Sequence, residues 1–369
     1  MKFRCEREVL QEALATAGRA VSNRGGTLTA LTGIRAELVG DRLSLTGTDL
    51  DLTITVDLEV SGGGDGVVVL PAKLTSDIVR ALPEGSVEVS VGDEEAEIVA
   101  GKATFTVLLL APEGFPVPRT SSVEPVAVPA KEFADAVRKV ARAASRDETR
   151  SVALTGVLMA SEDGGLRLVA TDSYRLALAD LPGVSLLAES TQVIVPARAL
   201  NELVRLLGAA GADDDVEVRL DEGTASFGLG TRQITTRLIE AEYPNYRGLI
   251  PSNQPNRLTV GRESLLEAVR RVALMVQSTP TPIRLVTGTE QLELLAITPD
   301  RGEAREALES SYEGEELTVA FNPEYLLDGL DATSGDEVSL QTVDGLKPAL
   351  LRSADDEGFL YLLMPVRVS

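Results

Sequence analysis

Apolar positions recur at helical spacing in three widely separated stretches of this chain, and the three share one register. Val9, Leu10, Ala13, Thr16, Ala17 and Ala20 form the first set, and Phe133, Ala134, Val137, Val140, Ala141 and Ala144 the second; Leu265, Leu266, Val269, Val272, Ala273 and Val276 form the third. Each set makes one stripe of a helix with a polar opposite face, the pattern of a helix lying on a sheet. Behind each helix the pattern switches to period two. LSLTGTDLDL (43–52), LRLVATDSYRLAL (166–178) and LELLAITPDRGEA (292–304) read as strand, turn and strand around Asp49, Asp172 and Asp300. VVVLPAKLTSDIVRAL (67–82), QVIVPARALNELVRLL (192–207) and LTVAFNPEYLLDGL (317–330) each run a strand into a second helix through a proline.

Asp49 and Asp172 lie 123 residues apart, and Asp172 and Asp300 lie 128 apart. A repeat of one third of the chain changes the meaning of every local motif. Alternating runs such as SVEVSV and EAEIVA fill the space between helices, punctuated by GD, EG and DGG turns. The pattern predicts an α+β fold of three tandem domains, each two helices packed on antiparallel sheet, with limits at 1–123, 124–250 and 251–369. Proline-bearing connectors, PEGFPVPRTSSVEP (112–125) and EYPNYRGLIPSNQPN (242–256), mark the two joints.

Composition narrows the chemistry. At 369 residues and 44% apolar content, each copy can have a core of its own. VLLLA (107–111), among the longest apolar runs, is far short of a membrane span, and MKFRCEREVL carries charges where a signal peptide needs apolar residues. The expectation is a cytoplasmic protein without a membrane partner. A lone Cys5 and the absence of histidine leave no intramolecular disulfide and almost nothing to bind a transition metal, so neither cofactor nor metal is expected. Ser-His-Asp and Cys-His triads are excluded as well. The GGG at 62–64 has no phosphate-loop or dinucleotide-binding context around it.

The aspartate in TD, TD and TPD closes a strand turn in all three copies, and Asp is an ordinary turn residue because its carboxylate accepts backbone N–H bonds. Ser173, Tyr174, Arg175 and Leu176 occur only in the middle copy. Residues that break a repeat are the better candidates for function. A carboxylate-dependent hydrolase centred on Asp172 is a rival class, but no paired-acid spacing singles it out.

The net charge of −22 divides into −7, −5 and −10 over the three copies, which argues against gripping nucleic acid through phosphate contacts. The charge is nevertheless uneven. On a predicted helix over 131–146, Lys131, Arg138, Lys139, Arg142 and Arg146 face away from Phe133, Val137, Val140 and Ala144. Arg270 and Arg271 repeat the feature in the third copy, and Lys73, Arg80, Arg198 and Arg205 add to it from the second helices.

MKFRCERE, LSLTGTDLDL, the LPAK and VPAR blocks, LVATDSYRLA, EYPNYRGLIP, AFNPEYLLDGL and the terminal YLLMPVRVS occur in order along the whole chain. Together they resemble the bacterial DNA sliding clamp family, the beta subunit of DNA polymerase III. That resemblance implies a non-catalytic processivity factor: two chains closing head to tail into a six-domain ring, helices inside and sheets outside. The ring would hold double-stranded DNA topologically and without sequence preference, and would tether the polymerase III alpha subunit, the clamp loader and repair proteins. Such a reading reconciles basic helices with an acidic chain, since enclosure requires only an inner surface that does not repel phosphates.

By the same resemblance Arg24, Arg138, Lys139, Arg142, Arg146, Arg150, Arg198, Arg270 and Arg271 fall near the DNA channel. A partner-peptide groove is implied at Leu154, Thr171, Ser173, Tyr174, Arg175, Leu176, Pro244 and Leu249, completed by Asn322, Tyr325, Leu346, Pro348, Leu363, Met364, Pro365, Val366 and Arg367. Aliphatic and methionine side chains would form its slot, with Arg175 or Arg367 meeting a carboxylate or carbonyl at the rim. Lys73, Phe105 and Val107 of one chain would meet Leu274 and Met275 of the other, with Glu303 and Glu306 nearby. Gly248 stands where many clamps carry a basic residue. A specialised paralogue, for example one whose altered pocket evades a clamp-binding inhibitor, would share the fold while changing partner preference.

Overall fold

The computed structural model describes residues 1–22, 28–116, 122–208, 210–211, 214–276, 281–299 and 301–367. Six helices carry the repeat in pairs: α1 (Arg7–Ala17) and α2 (Ala72–Ala81), α3 (Ala130–Ala141) and α4 (Ala197–Leu207), α5 (Arg262–Ala273) and α6 (Pro323–Ala332). All strand pairing among the described residues is antiparallel, as the alternation predicts. None of these helices is long and apolar enough to cross a membrane.

The chain packs into two compact units, Met1–Lys131 with Arg205–Leu238, and Glu132–Val204 with Ile239–Ser369. The first holds a five-stranded sheet in the order 61–62, 2–6, 86–91, 95–100, 103–108, and an eight-stranded sheet in the order 126–129, 215–221, 224–229, 232–237, 52–59, 42–48, 33–39, 66–71. The second holds one twelve-stranded sheet, in the order 192–196, 156–162, 165–171, 175–182, 359–363, 349–352, 337–342, 256–261, 302–313, 291–298, 283–287, 318–321. Each large sheet crosses a repeat boundary through an equivalent join. Leu52 pairs with Thr236 in one, and Arg175 pairs with Leu363 in the other. Two strands whose edges would otherwise be open to another chain satisfy each other, which fuses neighbouring repeats into one sheet.

The apolar stripes do what their spacing predicts. Phe133, Ala134, Val137, Val140, Ala141 and Ala144 are all buried, as are Leu265, Leu266, Val269 and Val272. Val9 is exposed on α1 while Leu10, Ala13 and Ala17 are buried, and Ala273 and Val276 are half-buried. The helices also end earlier than expected. Instead of running over 131–146, α3 stops at Ala141, and the N–H groups of Ala143 and Ala144 reach back three residues, to Val140 (3.0 Å) and Ala141 (3.2 Å). After α5, Leu274, Met275 and Val276 bond to Arg271, Val272 and Ala273 in the same way. A last turn tightened to three-residue bonds satisfies carbonyls that a helix end leaves open, and it moves Arg142 and Arg146 off the helix.

Candidate functional site

The opening of the site is the turn 171–175, and its geometry is duplicated in the first repeat. Asp172 Oδ1 accepts the N–H of Tyr174 (2.9 Å) and of Arg175 (3.0 Å), as Asp49 Oδ1 accepts those of Asp51 (3.2 Å) and Leu52 (2.9 Å). Thr171 Oγ1 donates to the Arg175 carbonyl at 2.6 Å, and Thr48 Oγ1 to that of Leu52 at 3.1 Å. Ser173 (φ 78°) and Leu50 (φ 83°) take the same left-handed conformation. Asp172 is therefore turn architecture and not a catalytic acid. Asp300, its counterpart in the third copy, lies outside the described residues.

The middle copy departs from the first at the end of the turn. Arg175 is 5% exposed, so it does not stand at a rim as expected from sequence. Its Nε donates to Asp172 Oδ2 at 3.0 Å, and its Nη1 pairs with Asp328 and reaches the Tyr361 hydroxyl at 3.4 Å. Burial opposes its charge, but Tyr361, Asp328 and Asp172 outweigh that and hold its pKa above the ordinary arginine value. The guanidinium also lies 4.4 Å from the ring centroid of Tyr325. Asp328 is shared, since Arg142 Nη1 donates to its carbonyl at 3.1 Å and lies 3.8 Å from its carboxylate. Tyr361, its own pKa raised by burial, donates to the Tyr325 carbonyl at 3.0 Å. Close packing of α6 permits this bond: a Cβ on Gly329 would fall 2.6 Å from the Tyr361 ring.

Above this buried cluster the surface is aromatic and aliphatic. Tyr174 stacks on Tyr325 with centroids 6.3 Å apart, and Arg150 Nη1 donates to the Tyr174 hydroxyl at 3.3 Å. The Met364 N–H bonds to the Tyr174 carbonyl (2.9 Å) and that of Val366 to the Ala320 carbonyl (2.8 Å), which lays the tail beside the turn. Met364 and Tyr174 are exposed, as are Leu249, Leu346, Pro244, Ser173 and Arg367; Pro348, Pro365 and Val366 are half-buried. Leu154, Thr171, Leu176 and Leu363 are buried, so they back the groove instead of lining it. Asn322 caps α6, its Oδ1 accepting the Glu324 N–H at 2.9 Å.

The connector carrying Pro244 and Leu249 is fastened to the same unit. Tyr243 and Tyr246 are buried among Leu158, Val169 and Leu350, and Glu162 joins Arg247 (3.0 Å) to Arg167 (2.8 Å). Gly248 faces open space and has no left-handed φ, so nothing in its surroundings requires glycine. Sequence reading missed Asp328 and Tyr361. Tyr325 and Asp328 stand three apart on α6 and therefore share a face, which was a usable signal for a carboxylate behind the tyrosine.

Residues expected to offer free positive charge are mostly paired within the chain. Arg138 pairs with Asp135, Lys139 with Asp356, Arg150 with Asp147 (3.7 Å) and Arg270 with Asp331 (3.1 Å). Arg146 and Arg198 are exposed, and Arg24 lies outside the described residues. Arg271 and Glu306, assigned from sequence to the channel and to the subunit contact, lie 2.6 Å apart. Both belong to one edge, where Leu274 follows Arg271 by three residues and is 77% exposed. Of the other subunit-contact residues, Lys73, Phe105 and Glu303 are exposed and Met275 is half-buried. Val107 is 1% exposed and belongs to the core of the five-stranded sheet.

The first unit also has a cleft of about 900 Å³, lined by residues that include Asp41, Arg42, Asp57, Glu59 and Gly230. Within it Arg42 pairs with Asp57, and Asp41 accepts the Gly62 N–H. No group of Cys, Asp and Glu among the described residues is arranged to hold a metal.

With no histidine, the chain has no side chain of ordinary pKa between about 5 and 8. Burial, with Glu6 adding to it, pushes the Cys5 thiol from 9.0 up to about 11. The folded state thus favours the neutral thiol, and this contribution to stability is complete below pH 9.0 and lost as the pH rises through about 11. Burial raises Tyr243 and Tyr361 in the same sense. The urea midpoint is expected to be flat from about pH 6 to 9 and to fall above that range; a slope near pH 7 would contradict this account.

Comparison with known proteins covers the full length. Residues 1–119, 127–245 and 247–367 match the N-terminal, central and C-terminal domain models of the DNA polymerase III beta subunit. The beta sliding clamps of Streptomyces coelicolor and Synechococcus elongatus are 35% and 32% identical, with the whole of each chain covered. Among solved structures, the DNA polymerase sliding clamp of Bacillus subtilis superimposes with a TM-score of 0.92 at 30% identity, all of both chains covered. The sliding clamp of Bartonella birtlesii bound to griselimycin gives 0.92 at 32%, again over both whole chains. Three repeats, in order and over the whole length, are those of one family, and the chain belongs to the DNA polymerase III beta subunits, the sliding clamps.

Proposed function

We propose that two copies of the protein close into a ring around duplex DNA and tether the polymerase, the clamp loader and repair proteins to it. The observation that carries this reading is the ordered match of all three repeats to the three beta-subunit domains. The repeat limits in this reading lie near 123 and 250, and a cytoplasmic location follows from a DNA partner.

Two strand edges support head-to-tail closure. Strand 103–108 pairs only with 95–100, and residues 302–309 of the third repeat pair only with 291–298 among the described residues. An unpaired edge is a template for another chain, and two different edges joined between copies make a heterologous contact, which gives a ring where the rotation between copies closes. Phe105 and Leu108 beside one edge, and Leu274 and Ile297 beside the other, are exposed apolar side chains. Lys73 on one copy opposes Glu303 on the other in this arrangement. Its core would be apolar and its rim charged.

The channel cations hold DNA by enclosure more than by grip. A phosphate reaching Arg138, Lys139 or Arg270 must displace a carboxylate, so little net charge is available for counterion release. The groove at Tyr174, Tyr325 and Met364 takes short extended peptides with apolar tails from the partners. Protein loaded on nicked circular duplex should stay bound through gel filtration in high salt and be lost when the circle is linearised. Equal loss from circle and line would overturn the ring.

A further inference from the structure

Four planar groups are piled at the mouth of the groove. Arg175 is the lowest, Tyr325 lies over it at 4.4 Å, Tyr174 stacks on Tyr325 at 6.3 Å with 23° between the rings, and the Arg150 guanidinium lies 5.8 Å from the centroid of Tyr174. The two ends of the pile are held very differently. Arg175 is buried and fixed by Asp172 and Asp328. Arg150 is exposed, and its ion pair with Asp147 is long, 3.7 Å. The other oxygen of Asp147 is occupied by the N–H (2.9 Å) and hydroxyl (2.6 Å) of Thr149. Tyr174 is therefore held over Tyr325 from outside by one hydrogen bond, 3.3 Å, from a weakly anchored arginine.

Arg150 is also the last of four arginines spaced by four residues, at 138, 142, 146 and 150. A phosphodiester oxygen carries more charge than a phenol and offers the guanidinium two acceptors, so it outcompetes the Tyr174 hydroxyl for the same donor. The Tyr174 ring on Tyr325 bridges the 171–175 turn and α6.

We propose that Arg150 is a positioning residue of the peptide groove that responds to DNA phosphate. Holding the Tyr174 hydroxyl, it keeps the two tyrosines stacked and the groove shut; turned to a phosphodiester, it releases Tyr174 and the groove opens. This rests on the ring reading, because only threaded duplex keeps phosphate near a weakly attracting surface. The coupling is reciprocal, so a bound peptide also frees Arg150 for phosphate.

The test measures binding of a fluorescein-labelled extended peptide with a leucine and phenylalanine tail, to the free protein and to protein loaded on nicked circular duplex. One hydrogen bond of ordinary net strength corresponds to about a fivefold change in an equilibrium constant. The native protein is expected to bind the peptide about fivefold more tightly when loaded. Tyr174→Phe, which keeps the ring and removes the acceptor, should bind tightly in both states, and Arg150→Gln should do the same. A native protein retained on the circle whose peptide affinity is unchanged overturns the coupling and leaves the ring intact. Failure of retention, or of peptide binding to any form, overturns the reading beneath it. A shift that persists in Tyr174→Phe removes Arg150 and Tyr174 as its cause.

Discussion

Arg175→Ala is expected to lower the unfolding free energy of the protein by about 3 kcal/mol and to abolish peptide binding. Breaking a buried ion pair costs roughly 3–5 kcal/mol because the surviving charge is left without compensation. Two carboxylates, Asp172 and Asp328, lose their partner here, and Asp328 retains some contact with water, which places the effect at the low end. Tyr361 loses an interaction as well, and Tyr325 loses the cation beneath its ring. The measurement is urea unfolding alongside peptide titration. Adding Asp328→Asn to Arg175→Ala should cost little more, since the two act on one cluster and are not additive. Arg175→Met tests the same account from the other side. It fills the space without charge, so stability should recover partly with Asp328→Asn beside it. An Arg175→Ala protein as stable as the native one would show that the cluster is ornament on a fold held elsewhere.

The elements visible in the sequence were those with a period. Phe133, Val137 and Val140 recur at the spacing of a helix face, and all are buried. Alternation marked the strands for the same reason. Pairing between repeats was not visible, because Leu52–Thr236 and Arg175–Leu363 join residues far apart in sequence whose side-chain patterns would fit any neighbouring edge. The candidate site was legible through the broken repeat at Ser173-Tyr174-Arg175. Its inner layer was not. An arginine in a sequence gives no sign of whether it stands at a rim or beneath one, and the answer here depends on Asp328, 153 residues away. Val107 departs in the opposite direction: the resemblance placed it with Phe105 at the subunit contact, but it is 1% exposed and belongs to the core, whereas Phe105 is 40% exposed.

The same difference between neighbours makes the subunit contact testable. Phe105 is 40% and Leu274 is 77% exposed, so Phe105→Asp with Leu274→Asp should leave the fold of each copy intact. In the proposed ring both side chains are buried between copies, and losing such burial costs roughly 1.5–3 kcal/mol for each. The two substitutions together should weaken each of the ring's two contacts by about a thousandfold before any cost of burying carboxylates. Sedimentation should show the native protein as a dimer and the variant as a monomer at micromolar concentration, with an unchanged urea midpoint for unfolding of the separate chain. Retention on circular DNA should vanish with the dimer. Val107→Asp could not serve, since a carboxylate in the core would unfold the sheet and remove the dimer for an unrelated reason. Lys73→Glu supplies an independent arm: exposed on α2, it should weaken the contact through repulsion from Glu303 of the other copy, and Glu303→Lys should restore it. A variant that remains dimeric with both aspartates in place would separate these strand edges from the closure of the ring, and with that the reason for two unlike edges on one chain.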